Sequence, residues 1–154
     1  MIRHTLVLAG LLWAGTFALG LPYAVAAPAG EQTANDPLNS PRWGDMAKAF
    51  FDGQEVVFDP RISVSGPLVA EDSLNVPITV DASALPGVEE MIVFADFNPI
   101  LKALRFEPGA AQARLGFRLK LQQSSPVRVA ARTVDGVWRV GGAWVTATGG
   151  GCTL

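Results

Sequence analysis

A chain of 154 residues has room for one domain plus a processed segment. Its formal net charge of -2 offers no electrostatic footprint for nucleic acid. With one cysteine and one histidine it can form neither an internal disulfide nor a zinc or blue-copper ligand set.

The N-terminus reads as a targeting segment. Arg3 and His4 give a short positive start, residues 5–21 are nearly all apolar, and Ala24-Val25-Ala26 supplies small residues at the spacing a signal peptidase reads. Residues 1–26 are therefore expected to be a secretory signal peptide of the Sec type, since one arginine before the apolar run does not suit the twin-arginine route. An uncleaved anchor is the weaker alternative, because the apolar run is near the lower length limit for spanning. After cleavage no membrane association is expected. The hydrophobic fraction of 49% thus overstates the core. Cleavage also removes the only histidine, and with Arg3 gone the net charge moves from -2 to -3.

Residues 27–39 are short of large apolar side chains and read as a mobile lead-in. Ser40-Pro41 then predicts a helix start, serine as N-cap and proline at the first helical position, where a missing N–H costs nothing. Trp43, Met46, Ala47 and Phe50 follow at helical spacing and Asp52-Gly53 ends the helix. From Val56 the pattern changes to strands. Val56-Val57-Phe58 and Ile62-Ser63-Val64 flank Asp59-Pro60, and residues 76–80 carry Pro77, which marks an edge strand or a strand beginning. Leu85-Pro86-Gly87 and Asn98-Pro99 predict turns around a buried strand containing Met91, Ile92, Val93 and Phe94. Over residues 114–122 Leu115, Phe117, Leu119 and Leu121 alternate with polar positions, as in a half-solvated strand. Val127, Val129 and Ala131 alternate with Arg128, Ala130 and Arg132. Asp135-Gly136 predicts a hairpin with both central positions at positive φ, and the return strand over 137–146 carries Gly141-Gly142 as an expected bulge. About seven strands and one helix predict a mainly β chain: an immunoglobulin-like antiparallel β-sandwich over residues 40–148, one short N-terminal helix, and a flexible C-terminal arm at 149–154.

Absences limit the chemistry. Without histidine in the exported chain there is no imidazole base and no triad of the usual kind. Glu71-Asp72 and Glu89-Glu90 read as solvated loop charges rather than a calcium site. The remaining candidate is Cys152, behind Gly149, Gly150 and Gly151. Three glycines supply freedom and thinness, and the stretch from Gly149 to Cys152 reaches roughly 10–14 Å at full extension. A lone cysteine in an exported chain suggests an intermolecular bond or a modifiable thiol. With a pKa near ~8.5 such a thiol needs activation from a partner's site. This points to a carrier of something bonded to sulfur, not an enzyme, and to no bound cofactor. The alternatives are an accessory binding module whose thiol is incidental, and a subunit held by an intermolecular disulfide.

Ala70-Glu71-Asp72 with Asn75-Val76-Pro77, then Asn98-Pro99, then the run PVRVAARTVDGVW over 126–138, then Gly-Gly-Gly-Cys, resemble in order the sulfur-carrier subunit SoxY of periplasmic thiosulfate oxidation. The similarity is greater still to the SoxYZ-like carriers associated with quinoprotein alcohol dehydrogenases. The resemblance implies an immunoglobulin-like sandwich, a periplasmic location, and Cys152 as the covalent attachment point for a sulfur intermediate, approached through Gly149, Gly150 and Gly151. It implies as partners a SoxZ-like chain or domain and a periplasmic c-type cytochrome or quinoprotein dehydrogenase. Thr153 and Leu154 follow the cysteine where SoxY has two glycines.

Overall fold

The computed structural model describes residues 36–148. Its elements are helix α1 (Trp43–Phe51) and strands β1 (Val56–Phe58), β2 (Ser63–Ser65), β3 (Val69–Ala70), β4 (Val76–Asp81), β5 (Val88–Ala95), β6 (Lys102–Phe106), β7 (Arg114–Leu119), β8 (Ser125–Thr133) and β9 (Trp138–Ala147). Two sheets face each other. The larger runs β1-β9-β8-β5-β6, with β3 also paired to β9, and the smaller runs β2-β4-β7. This is the mainly β sandwich expected from the strand pattern, with α1 laid on the outer face of the larger sheet.

Side-chain parity explains the layers. Met91, Val93 and Ala95 of β5 and Val127, Val129 and Ala131 of β8 point into the core between the sheets, against Val76, Ile78 and Val80 of β4. The alternate residues Ile92, Phe94 and Ala130 point outward, under Trp43, Met46, Ala47 and Phe51 of α1. β5 and β8 are therefore covered on both sides, which is why β5 reads as an unbroken apolar run from Met91 to Ala95. Each large side chain buried this way contributes about 1.5–3 kcal/mol.

Several local expectations change. The helix begins at Trp43, not at Pro41: residues 41–42 form a turn, and the Ser40 hydroxyl accepts only a long 3.4 Å bond from the Arg42 amide. Its buried face includes Phe51 rather than Phe50, which is half-buried with its ring 4.8 Å from that of Phe94. Asp52 closes the helix in the left-handed region at φ 46°. Pro77 lies on the central strand of the smaller sheet, but at its beginning, before β2 joins at Thr79.

Between β8 and β9 only Gly136 has positive φ, 81°. Its amide donates to Thr133 O at 2.8 Å, so Val134 and Asp135 are the central turn residues and Gly136 follows them. Gly141 and Gly142 are not a bulge, since the β8–β9 register runs unbroken through both. They are glycine because of close approach: a Cβ on Gly141 would sit 2.4 Å from Ile62 O, and one on Gly142 would sit 2.9 Å from Leu38 Cδ1 and Val127 O. Two further strands, β3 and β6, add to the seven expected.

Candidate functional site

Cys152 and its approach, Gly149, Gly150 and Gly151, lie outside the described residues. The structure does show the ground from which they leave. β9 ends at Ala147 with neighbours on both edges. On one side β8 pairs Ser125 with Val145, and Ser124 Oγ accepts from the Ala147 amide at 3.0 Å. On the other, β3 runs parallel, with Val69 opposite Thr146 and Ala70 opposite Ala147. The Thr146 amide donates to Leu68 O at 3.1 Å and the Thr148 amide to Ala70 O at 2.9 Å. Backbone hydrogen bonds therefore hold the chain up to Thr148, four residues before the cysteine.

Midway along the outer face of the larger sheet is a polar cluster that the pattern did not reveal. Arg128 is fully buried, although strand alternation placed it simply opposite Val127 and Val129. Its Nη1 and Nη2 donate to the two carboxylate oxygens of Asp36, both at 2.8 Å. Its Nε donates to Asp96 at 3.0 Å, and its guanidinium lies 4.6 Å from the Trp43 ring centre. Asp36 also accepts from the Ser40 amide at 2.8 Å and the Leu38 amide at 3.1 Å. The last residues of the stretch read as a mobile lead-in are thus tied to the sheet through Asp36.

The two carboxylates are tuned in opposite directions. Burial pushes Asp36 up, but the Arg128 hydrogen bonds with the Ser40 and Leu38 amides outweigh it and leave the pKa below the usual value. For Asp96 burial dominates and raises the pKa, only partly offset by Arg128 and the Ser40 hydroxyl. Every polar group of this cluster is partnered within the fold, so it is a clamp and not a reactive centre. Beside it, Pro37, Leu38, Phe58, Pro60 and Ile62 line an apolar cleft of about 350 Å³.

The acidic pairs separate. Glu71 and Asp72 are exposed, and Asp72 accepts from the Leu74 amide at 3.0 Å, as a loop residue does. Glu89-Glu90 is not a loop pair. Both lie in β5, and Glu90 is buried with its carboxylate 2.7 Å from Arg105 Nε. Among the described residues no group of His, Cys, Asp and Glu could hold a metal ion, and no helix is long and apolar enough to cross a membrane.

The family model described as Sulfur oxidation protein SoxY matches residues 47–152. The chain belongs to the SoxY family. The match covers α1 from its middle, the whole sandwich, and the segment beyond it up to the cysteine. Among solved structures, the sulfur carrier protein SoxY from Chlorobium limicola f thiosulfatophilum is similar at 20% identity and a TM-score of 0.60, covering 70% of this chain and 96% of that one. A superoxide reductase (neelaredoxin) from Ignicoccus hospitalis aligns at 15% identity and a TM-score of 0.49 over 56% of this chain and 80% of its own. That second likeness is too distant to bear on fold or chemistry. No curated protein sequence matches. Membership of the SoxY family places the chain with sulfur carriers and not with enzymes.

Proposed function

We propose that the chain is a periplasmic carrier that bears a sulfur-containing intermediate covalently on Cys152 Sγ and presents it to partner redox enzymes. The observation behind this is that the SoxY family match extends past the sandwich and ends at residue 152, the only cysteine of the chain. Loading has a definite electron balance. Joining the Cys152 thiolate to a sulfide-type sulfur of the cargo forms one S–S bond and releases two electrons. The loading partner must accept them, which is the chemistry of a c-type cytochrome or a quinoprotein dehydrogenase. Unloading by hydrolysis of the outer group needs no electrons and leaves the inner sulfur on the cysteine. A thiol of ordinary pKa, near ~8.5, is mostly protonated at neutral pH, so the partner's site also has to take up its proton.

A SoxZ-like chain or domain is the expected companion subunit, and export by residues 1–26 brings the chain to the compartment of these partners. Intact-mass measurement on protein isolated from its native periplasm tests the reading. Sulfur-containing adducts that are absent from Cys152→Ser are expected. A native protein carrying only free thiol or a glutathione adduct while sulfur compounds are being oxidised would overturn it.

A further inference from the structure

The described residues expose seven large apolar side chains, and their distribution is uneven: Val57, Leu68, Val69, Leu74, Ile100, Val134 and Trp144. Five of the seven lie at the end of the sandwich from which the Cys152 segment departs. Leu68 and Val69 flank the end of β9, where the Thr146 amide donates to Leu68 O and Val69 stands opposite Thr146. The rings of Trp144 of β9 and Phe97 stand nearly perpendicular with their centres 5.9 Å apart, and Ile100 belongs to the same short loop as Phe97. That loop is fastened to the next one by Asn98, which donates to Lys120 O at 2.8 Å and accepts from the Gln122 amide at 3.1 Å. Leu74 follows Ser73, whose carbonyl accepts from the Leu121 amide at 2.8 Å. One network of hydrogen bonds therefore holds three loops and the end of β9 in a fixed frame, and that frame holds apolar side chains out to solvent. Leu68 is 84% and Ile100 78% exposed.

We infer that this apolar rim is the docking surface for the redox protein that loads Cys152, and that the rim seats against an apolar collar around the mouth of that protein's thiol-reactive site. The inference rests on the carrier reading above. Its geometric basis is the tether: Cys152 is four residues beyond Thr148, so its sulfur stays within about 14–16 Å of Thr148. A protein that forms a bond to that sulfur comes within that distance of Thr148, and the surface it meets there is the rim. Exposed apolar and aromatic residues with a polar surround are what a protein interface selects. Here Glu71, Asp72 and Lys120 supply the exposed polar surround. Docking at the rim raises the local concentration of the thiol at the partner's site, so a weak contact suffices for turnover and still releases the carrier.

The test uses the full exported chain, reduced at Cys152, incubated with periplasmic extract of its source bacterium and thiosulfate, with the adduct followed by intact mass. Leu68→Glu is compared with Val134→Glu, which places the same charge away from the rim. The rim variant is expected to load about tenfold more slowly or worse, as for an interface hot spot. The Val134→Glu control is expected to match the unaltered chain, and all three should react alike with a small thiol reagent and melt at the same temperature. Loading of the rim variant at the unaltered rate overturns the inference while leaving the carrier reading in place. Absence of any adduct on the unaltered chain overturns both. Sedimentation that shows a second copy, or the SoxZ-like companion from the extract, bound to the unaltered chain and released by the rim substitution assigns the rim to that subunit, and overturns the inference as well.

Discussion

The Arg128 clamp and the apolar rim invert the usual order of a protein in opposite ways. At the clamp, three charged side chains are buried under the first described residues, each with its hydrogen bonds made inside the fold. At the rim, large apolar side chains stand in solvent with nothing from the described chain upon them. A charge can remain inside only where the fold supplies its partners, so the clamp is complete and structural. An apolar side chain in water gains by being covered from outside, so the rim is open to a partner. The difference separates what holds the molecule together from what the molecule offers.

That separation can be broken most directly at Arg128. Arg128→Ala leaves Asp36 and Asp96 buried without their cation, and such a loss costs about 3–5 kcal/mol. Guanidinium unfolding should show this as a large drop in midpoint; a loss below about 1 kcal/mol would mean that the clamp does not hold the fold. Gly141→Ala comes next. The new Cβ would press on the Ile62 backbone oxygen, which cannot rotate away, and overpacking of this kind costs about 1–3 kcal/mol. An unchanged midpoint would show that the 58–62 segment shifts freely.

Asp36→Asn sharpens the comparison through pH. The folded pKa of Asp36 lies below its unfolded value, near ~3.9. The advantage of the normal protein over the variant, about 1.5–3 kcal/mol for hydrogen bonds to a charged group, is therefore fully present above that value. It is lost as pH falls through the lower folded pKa. Asp96 titrates in the opposite sense in both proteins; the Asp36 charge adds to its raised pKa, so the variant is relieved of that repulsion and the gap between the curves narrows without changing sign. Unfolding measured from pH 7 down to pH 2 should show the two curves converge in acid, and parallel curves would contradict the assignment. The smallest effect belongs to the rim, where Ile100→Ser should change stability by no more than about 0.5 kcal/mol. A larger loss there would move the rim from interface to core.

Much of the sandwich was legible: β5 reads as a strand from its apolar run, the mark of burial on both faces, and β7 and β8 from their alternation. β6 was not, since only Leu104 and Phe106 of its five residues face the core and the strand exists mainly through its pairing with β5. β3 is two residues long and is defined by the β9 ladder alone. Gly141-Gly142 signalled something unusual in a strand, but close approach by Ile62 and Leu38 is a tertiary fact that local sequence does not carry. Arg128 misled for the same reason. Its partners are 32 and 92 residues away, so alternation gave its face and not its surroundings. At the candidate site, the single cysteine behind three glycines was visible in the residues themselves. The rim around its departure point was not, because its apolar residues come from four separate stretches.

The pairing at the end of β9 also fixes how the molecule would bear mechanical load. A pull applied along β9 at its end would run beside the ladders to β8, β1 and β3. Their hydrogen bonds are then strained in shear, many at once, rather than peeled one after another. β9 would then act as an anchor cable set inside a sheet, with such traction spread through the sandwich instead of fraying its edge.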